Sequence, residues 1–206
     1  FTLKLGDSTN LCGMGKSKKW ALVSDDYDKS LMRNSLAGYI GKKLDNLAWT
    51  PDSTPVDLYV NGSYRGNYLL IERVAIDTSA TTPRVNIPEL KSDGQTTDPN
   101  NANNVAPGVT GGYIMEWDFR KGSDYNAYLG SDSGYVGIKD PENDTDRNGD
   151  QTTAGISSQQ KSYISSYLNT VDSTLRGSNF TNDTTGWKKY IDMPSAVDYY
   201  IGMEYM

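Results

Sequence analysis

Any chemistry in this chain falls to carboxylates, lysines and tyrosines, because no histidine occurs anywhere in it. That absence removes Ser-His-Asp and Cys-His catalysis and every His-ligated metal site. Glu116 and Asp118 lie two apart in the stretch Gly112-Tyr113-Ile114-Met115-Glu116-Trp117-Asp118, so they share one face of a predicted strand. Paired carboxylates suit a divalent metal or an acid–base couple, although the spacing alone is met more simply by a surface or salt-bridged pair. Glu72 and Arg73 close an earlier strand, and Arg33 with Asn34 stands early in a predicted helix, where side chains are ordinarily exposed.

Two loops carry partial motifs. Gly15-Lys16-Ser17 ends like a phosphate-binding loop, but the glycine that pattern needs upstream is Asn10, and the flanking strand and helix are misplaced. A flexible glycine turn with a basic tip is the better account. Asp144, Asp146, Asn148 and Asp150 alternate as oxygen ligands do in the first half of a calcium loop, with Gly149 beside them. The bidentate Glu that should close such a loop is replaced by Gly155, so the run reads either as a weakened calcium site or as a solvated acidic turn.

The elements that must position these residues follow from periodicity. Phe1 to Leu5 alternates apolar and polar side chains and then meets Gly6-Asp7, which predicts a half-buried strand ending in a turn. Trp20 to Val23 forms a short apolar element. Asp28 or Ser30 caps a helix running to about Leu44, with Met32, Leu36, Tyr39, Ile40 and Leu44 as its buried face. Val56 to Val60, Asn61-Gly62 and Tyr68 to Ile71 predict a hairpin, since Asn-Gly accepts the positive backbone dihedrals of a tight turn.

Ser79 to Pro107 is polar and rich in Pro, Asn and Thr, which predicts a long surface excursion. Strands follow at Gly112 to Asp118 and Tyr135 to Ile138. A helix from Ser157 to Leu175 then carries Tyr163, Ile164, Tyr167, Leu168 and Val171 on one face. A last helix is expected to begin at Pro194 after an Asp192 cap, and it reaches Met206 without a stop signal, as if the natural chain continued. The expected fold class is α+β, with an antiparallel sheet followed by a helical part. Residues 1–206 form one domain in this reading: 1–78 and 108–140 are mainly sheet plus one helix, 79–107 the excursion, and 157–206 mainly helical.

Composition narrows the partners. With 26 acidic against 20 basic residues and no long basic block, the chain lacks the electrostatic footprint of a nucleic-acid binder. No apolar run approaches the roughly 20 residues of a membrane span. Cys12 stands alone and reads as a small apolar side chain rather than a reactive thiol. The sequons at Asn61, Asn143, Asn179 and Asn182 matter only in a glycosylating pathway. The polar, tyrosine-rich balance is one associated with secreted bacterial proteins.

Taken as blocks in register, the sequence resembles the CotH kinase family, named for a spore coat protein. The resemblance is carried by Gly13-Met14, by Lys19-Trp20-Ala21-Leu22 and by Asp28-Lys29-Ser30-Leu31-Met32-Arg33-Asn34-Ser35-Leu36-Ala37. Val60 to Glu72 and Gly111 to Asp118 continue it, as do the segment from Ile138 to Glu142 and the helix from Ser157. The resemblance implies an atypical protein-kinase-like fold that transfers phosphate from ATP, with Mg or Mn, to Ser or Thr of spore-coat, secreted or cell-surface proteins. It also implies an extracellular, cell-surface or spore-coat location in a bacterium.

Mapped on kinase logic, the resemblance gives Lys19 and Arg33 to the phosphates of the nucleotide. It makes Glu72, Arg73 and Val74 the hinge that holds adenine through backbone groups, and gives Glu116 and Asp118 supporting polar contacts. Two elements usual in the family, an upstream Arg-Gly-Asn-Ser and a downstream Trp-Asp-Phe-Asp-like run, do not occur in these residues. The catalytic acids are therefore expected beyond residue 206, and residues 1–206 alone are expected to be inactive. Two competing readings are an extracellular adhesion or scaffold module binding protein or glycan, and a calcium-stabilised accessory module of a secreted polysaccharide-degrading protein.

Overall fold

A computed structural model describes residues 1–74, 106, 108–118, 135–140 and 157–205. The elements are β1 (Thr2–Asn10), β2 (Lys16–Val23), α1 (Arg33–Gly41), β3 (Ser53–Val60), β4 (Ser63–Glu72), β5 (Ile114–Asp118), β6 (Tyr135–Asp140), α2 (Ser158–Arg176) and α3 (Met193–Tyr205). They are antiparallel sheets with three helices, the expected α+β class. The chain forms two compact units, one built on Phe1–Val74 with α3 and one on the later strands with α2. The run Asp144 to Asp150 and most of the stretch Ser79 to Pro107 lie outside the described residues.

In the first unit four strands lie in the order β1-β2-β4-β3. The β3–β4 turn is the one the sequence demanded: Asn61 and Gly62 have φ of 51° and 77°, the positive pair whose twist matches the flanking strands. β1 departs from expectation. It continues through Gly6-Asp7 to Asn10, and the pairing jumps from Lys4↔Lys19 to Thr9↔Ser17. The turn signal is thus absorbed as a bulge inside the strand, a use of glycine that the same residue pair serves equally well.

One face of this sheet carries the main core cluster, while Leu69, on the other face of β4, is buried as well. Met14, Trp20, Leu22 and Leu70 are buried, with Leu3, Leu5, Val56, Leu58 and Tyr68 packed around them. Trp20 is fully enclosed and its Nε1–H donates to the Ser17 carbonyl at 3.2 Å, so its one polar atom is satisfied.

α1 starts later than expected: it opens at Arg33 after Met32, its N-cap, which makes no side-chain cap bond, and it ends at Gly41, short of Leu44, while Asp28 and Ser30 stand in the turn ahead of it. The Asp28 carboxylate accepts the backbone N–H groups of Ser30, Met32 and Arg33 at 3.0, 2.9 and 2.8 Å and the Ser30 hydroxyl at 2.7 Å. Bonds of this kind stabilise the ionised form, so the Arg33 N–H first, and then the Ser30 hydroxyl, hold the Asp28 carboxyl well below the usual carboxylate range. Because the folded-state value is depressed, this stabilisation is present above the unfolded value of about 3.9 and is lost as pH falls toward the folded one. Asp28→Ala is accordingly expected to melt below the parent at neutral pH. Melting curves taken down a pH series should show the gap narrowing once pH drops below about 4.

The expected buried face of α1 is overturned. Met32, Leu36 and Tyr39 are exposed, and only Ile40 and Leu44 are half-buried. The helix instead faces the start of β3 with its glycines. A methyl on Gly38 would stand 3.7 Å from Ser53 Oγ, and one on Gly41 2.9 Å from Thr50 Cγ2. Asn34, on the same side, donates its amide to the Asp25 carboxylate. Close approach of backbone to strand selects the face with the smallest side chains, which a periodicity of large apolar residues does not register.

In the second unit β5 and β6 pair antiparallel, and Ile164 of α2 packs on Ile138 with Tyr113, Tyr163 and Leu168 around them. β5 begins at Ile114 rather than Gly112, whose φ of 81° keeps it out of the ladder. α2 opens with a reciprocal cap: Ser157 Oγ accepts the Gln160 N–H at 3.1 Å and Gln160 Oε1 accepts the Ser157 N–H at 2.9 Å. α3 opens at Met193, which puts Pro194 second in the helix.

Candidate functional site

Register builds the site. β2 and β4 pair Trp20 with Glu72, so Glu72 lies on the core face at the end of its strand. It is buried, its N–H donates to the Asp52 carbonyl at 3.0 Å, and its Oε2 accepts the Asp52 N–H at 2.9 Å. The carboxylate therefore clamps the backbone just ahead of β3. Arg73 and Val74 follow outside the ladder, both exposed.

Lys19, next to Trp20 and so on the opposite face, is half-buried and sits directly across from Lys4 of β1. The register thus sets two lysines opposite each other on one sheet face, and both residues also take part in further interactions of their own. Lys4 was not among the residues singled out from sequence. Its place on the polar side of the alternating Phe1 to Leu5 run was visible, but its partner is set only by register.

Arg33 begins α1, past the end of β2, with its side chain largely exposed and its Nε 3.9 Å from the Asp28 carboxylate. The sequence of α1, Arg-Asn-Ser-Leu-Ala-Gly-Tyr-Ile-Gly, contains no acid. It cannot supply the glutamate that conventional kinases pair with their nucleotide lysine. Glu116, in the other unit, spans to β6 and pairs with Lys139 at 2.8 Å, both about half exposed. Asp118 closes β5 opposite Tyr135.

Four acids of the first unit hold local structure: Asp25 to Asn34, Asp28 to the N–H of Arg33, Asp52 to Lys42 and Glu72 to Asp52. Among the described residues no three Asp, Glu or Cys side chains come together to hold a metal ion. Lys4 and Lys19 are cations of the kind that donate hydrogen bonds to phosphate oxygens. Among the described residues no helix is long and apolar enough to cross a membrane.

A family model described as CotH kinase protein matches residues 1–206, the whole of this sequence. The chain belongs to the CotH kinase family. No curated protein and no solved structure matches it. Membership places the chain among kinase-like proteins, and it gives the Lys4–Lys19 face and the exit from β4 a context that their geometry alone does not provide.

Proposed function

We propose that the natural protein carrying this chain is an ATP-dependent kinase that phosphorylates Ser or Thr of spore-coat, secreted or cell-surface proteins. What carries the reading is the family match over residues 1–206, together with the cross-strand pairing of Lys4 with Lys19. Bound ATP supplies the phosphoryl group and a divalent ion shields its charge, so the protein's work is positioning and electrostatic stabilisation. Lys4 and Lys19 neutralise the phosphates. The backbone of Arg73 and Val74, which follows the end of β4, holds the base, while the Glu72 side chain fixes where that backbone leaves the sheet. Glu116 and Asp118 give supporting polar contacts. A cation is assigned to Asp144, Asp146, Asn148 and Asp150.

The test is thermal unfolding of the natural protein with ATP and Mg²⁺ or Mn²⁺. Ligand at about a hundred times its Kd stabilises by roughly 2.7 kcal/mol, which appears as a rise of several degrees. Lys19→Ala is expected to remove most of that rise while leaving the melting temperature without nucleotide within a degree or two of the parent, since Lys19 is not part of the core. Absence of any nucleotide-dependent rise in the parent overturns the reading.

A further inference from the structure

Beside β5 in the second unit runs a groove of about 440 Å³ lined by Thr110, Tyr113, Met115, Tyr163, Ile164 and Tyr167, with no charged side chain among the described residues of its lining. Three of its residues form a row of rings. Tyr113 and Tyr163 stack with centroids 6.3 Å apart and planes 21° apart, and Tyr163 and Tyr167 repeat this at 6.2 Å and 22°. Tyr190 continues the row edge-on to Tyr167 at 5.8 Å. The row is built by α2, where Tyr163 and Tyr167 are one turn apart, and by the turn before β5, where the Tyr113 hydroxyl donates to the Val109 carbonyl at 2.9 Å.

The phenol groups of Tyr163 and Tyr167 make no hydrogen bond among the described residues, which leaves two donors beside an uncharged aromatic surface. At the far end Lys189 holds its ammonium 5.3 Å over the Tyr190 ring and has no carboxylate partner among the described residues.

The ligand these features recognise has flat apolar faces, outward carbonyl acceptors, no charge along its middle and a negative charge at one end. A polyproline II segment meets the first three requirements: it has no internal hydrogen bonds, so its carbonyls all need donors, and aromatic-lined grooves are its usual dock. Lys189 complements the fourth. We propose that this groove binds a proline-rich peptide segment in the polyproline II conformation, with an acidic residue flanking its core that pairs with Lys189.

The site stands apart from the nucleotide reading and is tested without it. The full chain, isotope-labelled, is titrated with a short proline-rich peptide carrying a terminal Glu and with the same peptide carrying Gln. Both peptides should shift the signals of the tyrosine row, the Glu form binding a few-fold tighter. Tyr167→Ala should weaken both by about tenfold, as loss of an aromatic anchor does. Lys189→Gln should abolish the preference for Glu and leave the Gln peptide unchanged. Tyr167 is 38% exposed, so its removal is compatible with the fold, and the melting curve of each variant checks this. Should Tyr167→Ala fail to fold, Tyr167→Phe, which keeps the ring and loses the donor, and Lys189→Gln decide the matter. No binding of either peptide, binding indifferent to these substitutions, or occupation of the groove by a neutral oligosaccharide in place of the peptide overturns the proposal.

Discussion

Trp20→Ala is expected to destabilise the first unit by about 3–5 kcal/mol, the cost of emptying a fully buried aromatic site. Trp20 belongs to the core cluster against which residues of β1, β3 and β4 pack, and its Nε1–H donates to the Ser17 carbonyl, so its removal leaves a large space at the centre of the sheet's core face. A domain has only about 5–15 kcal/mol in all, so the loss is a large fraction of the total. In a chain of this size it should lower the melting temperature by about 10 °C or more. Differential scanning calorimetry gives the answer. A shift of only a degree or two would mean that the Trp20 cavity is not the centre of the core.

Glu72 separates two roles that sequence alone assigns to the same residue. As a clamp, its carboxylate satisfies the Asp52 N–H from a buried position, and removing a charged hydrogen-bond acceptor of this kind costs about 1.5–3 kcal/mol. Glu72→Leu should therefore melt several degrees below the parent. Glu72→Gln, which keeps an acceptor oxygen, should recover much of the loss. If the side chain serves the fold and only the backbone beyond it serves the base, Glu72→Gln also keeps its nucleotide-dependent stabilisation. Equal melting of the Leu and parent proteins would rule out the clamp. Loss of the nucleotide effect in a stable Gln variant would give the side chain a direct part in binding.

Much of the fold was legible because the signals were local. Asn61-Gly62 states its own backbone conformation, the Asp28 carboxylate gathers the N–H groups of Met32 and Arg33 where the next helix begins, and Ser157 with Gln160 spells a capping box three residues apart. What was illegible depends on partners distant in sequence. Nothing near Glu72 announces Asp52, twenty residues earlier, and nothing near Lys19 announces Lys4, whose position across the ladder depends on the bulge that β1 takes at Gly6-Asp7. Glu116 and Asp118 lie two apart on β5, as the spacing indicated, but the ion pair of Glu116 with Lys139 on the neighbouring strand is set only by register. The α1 face was misassigned for another reason: glycines carry no hydrophobic signal, yet their absence of bulk decides which side meets the strand. The family blocks were legible as blocks, since they depend on many residues at once and not on any single contact.

Asp52 gathers three elements at a single joint. Its backbone is tied on both its N–H and C=O to Glu72 at the end of β4, its side chain to Lys42 at the end of α1, and it directly precedes β3. Mechanically it behaves as a rivet through three plates. Tension applied to the chain beyond Val74 reaches Glu72 first, and from there is divided between the helix and the two-stranded ribbon instead of peeling β4 away one rung at a time. The last rung of the sheet, where unzipping would otherwise start, is the one that is riveted.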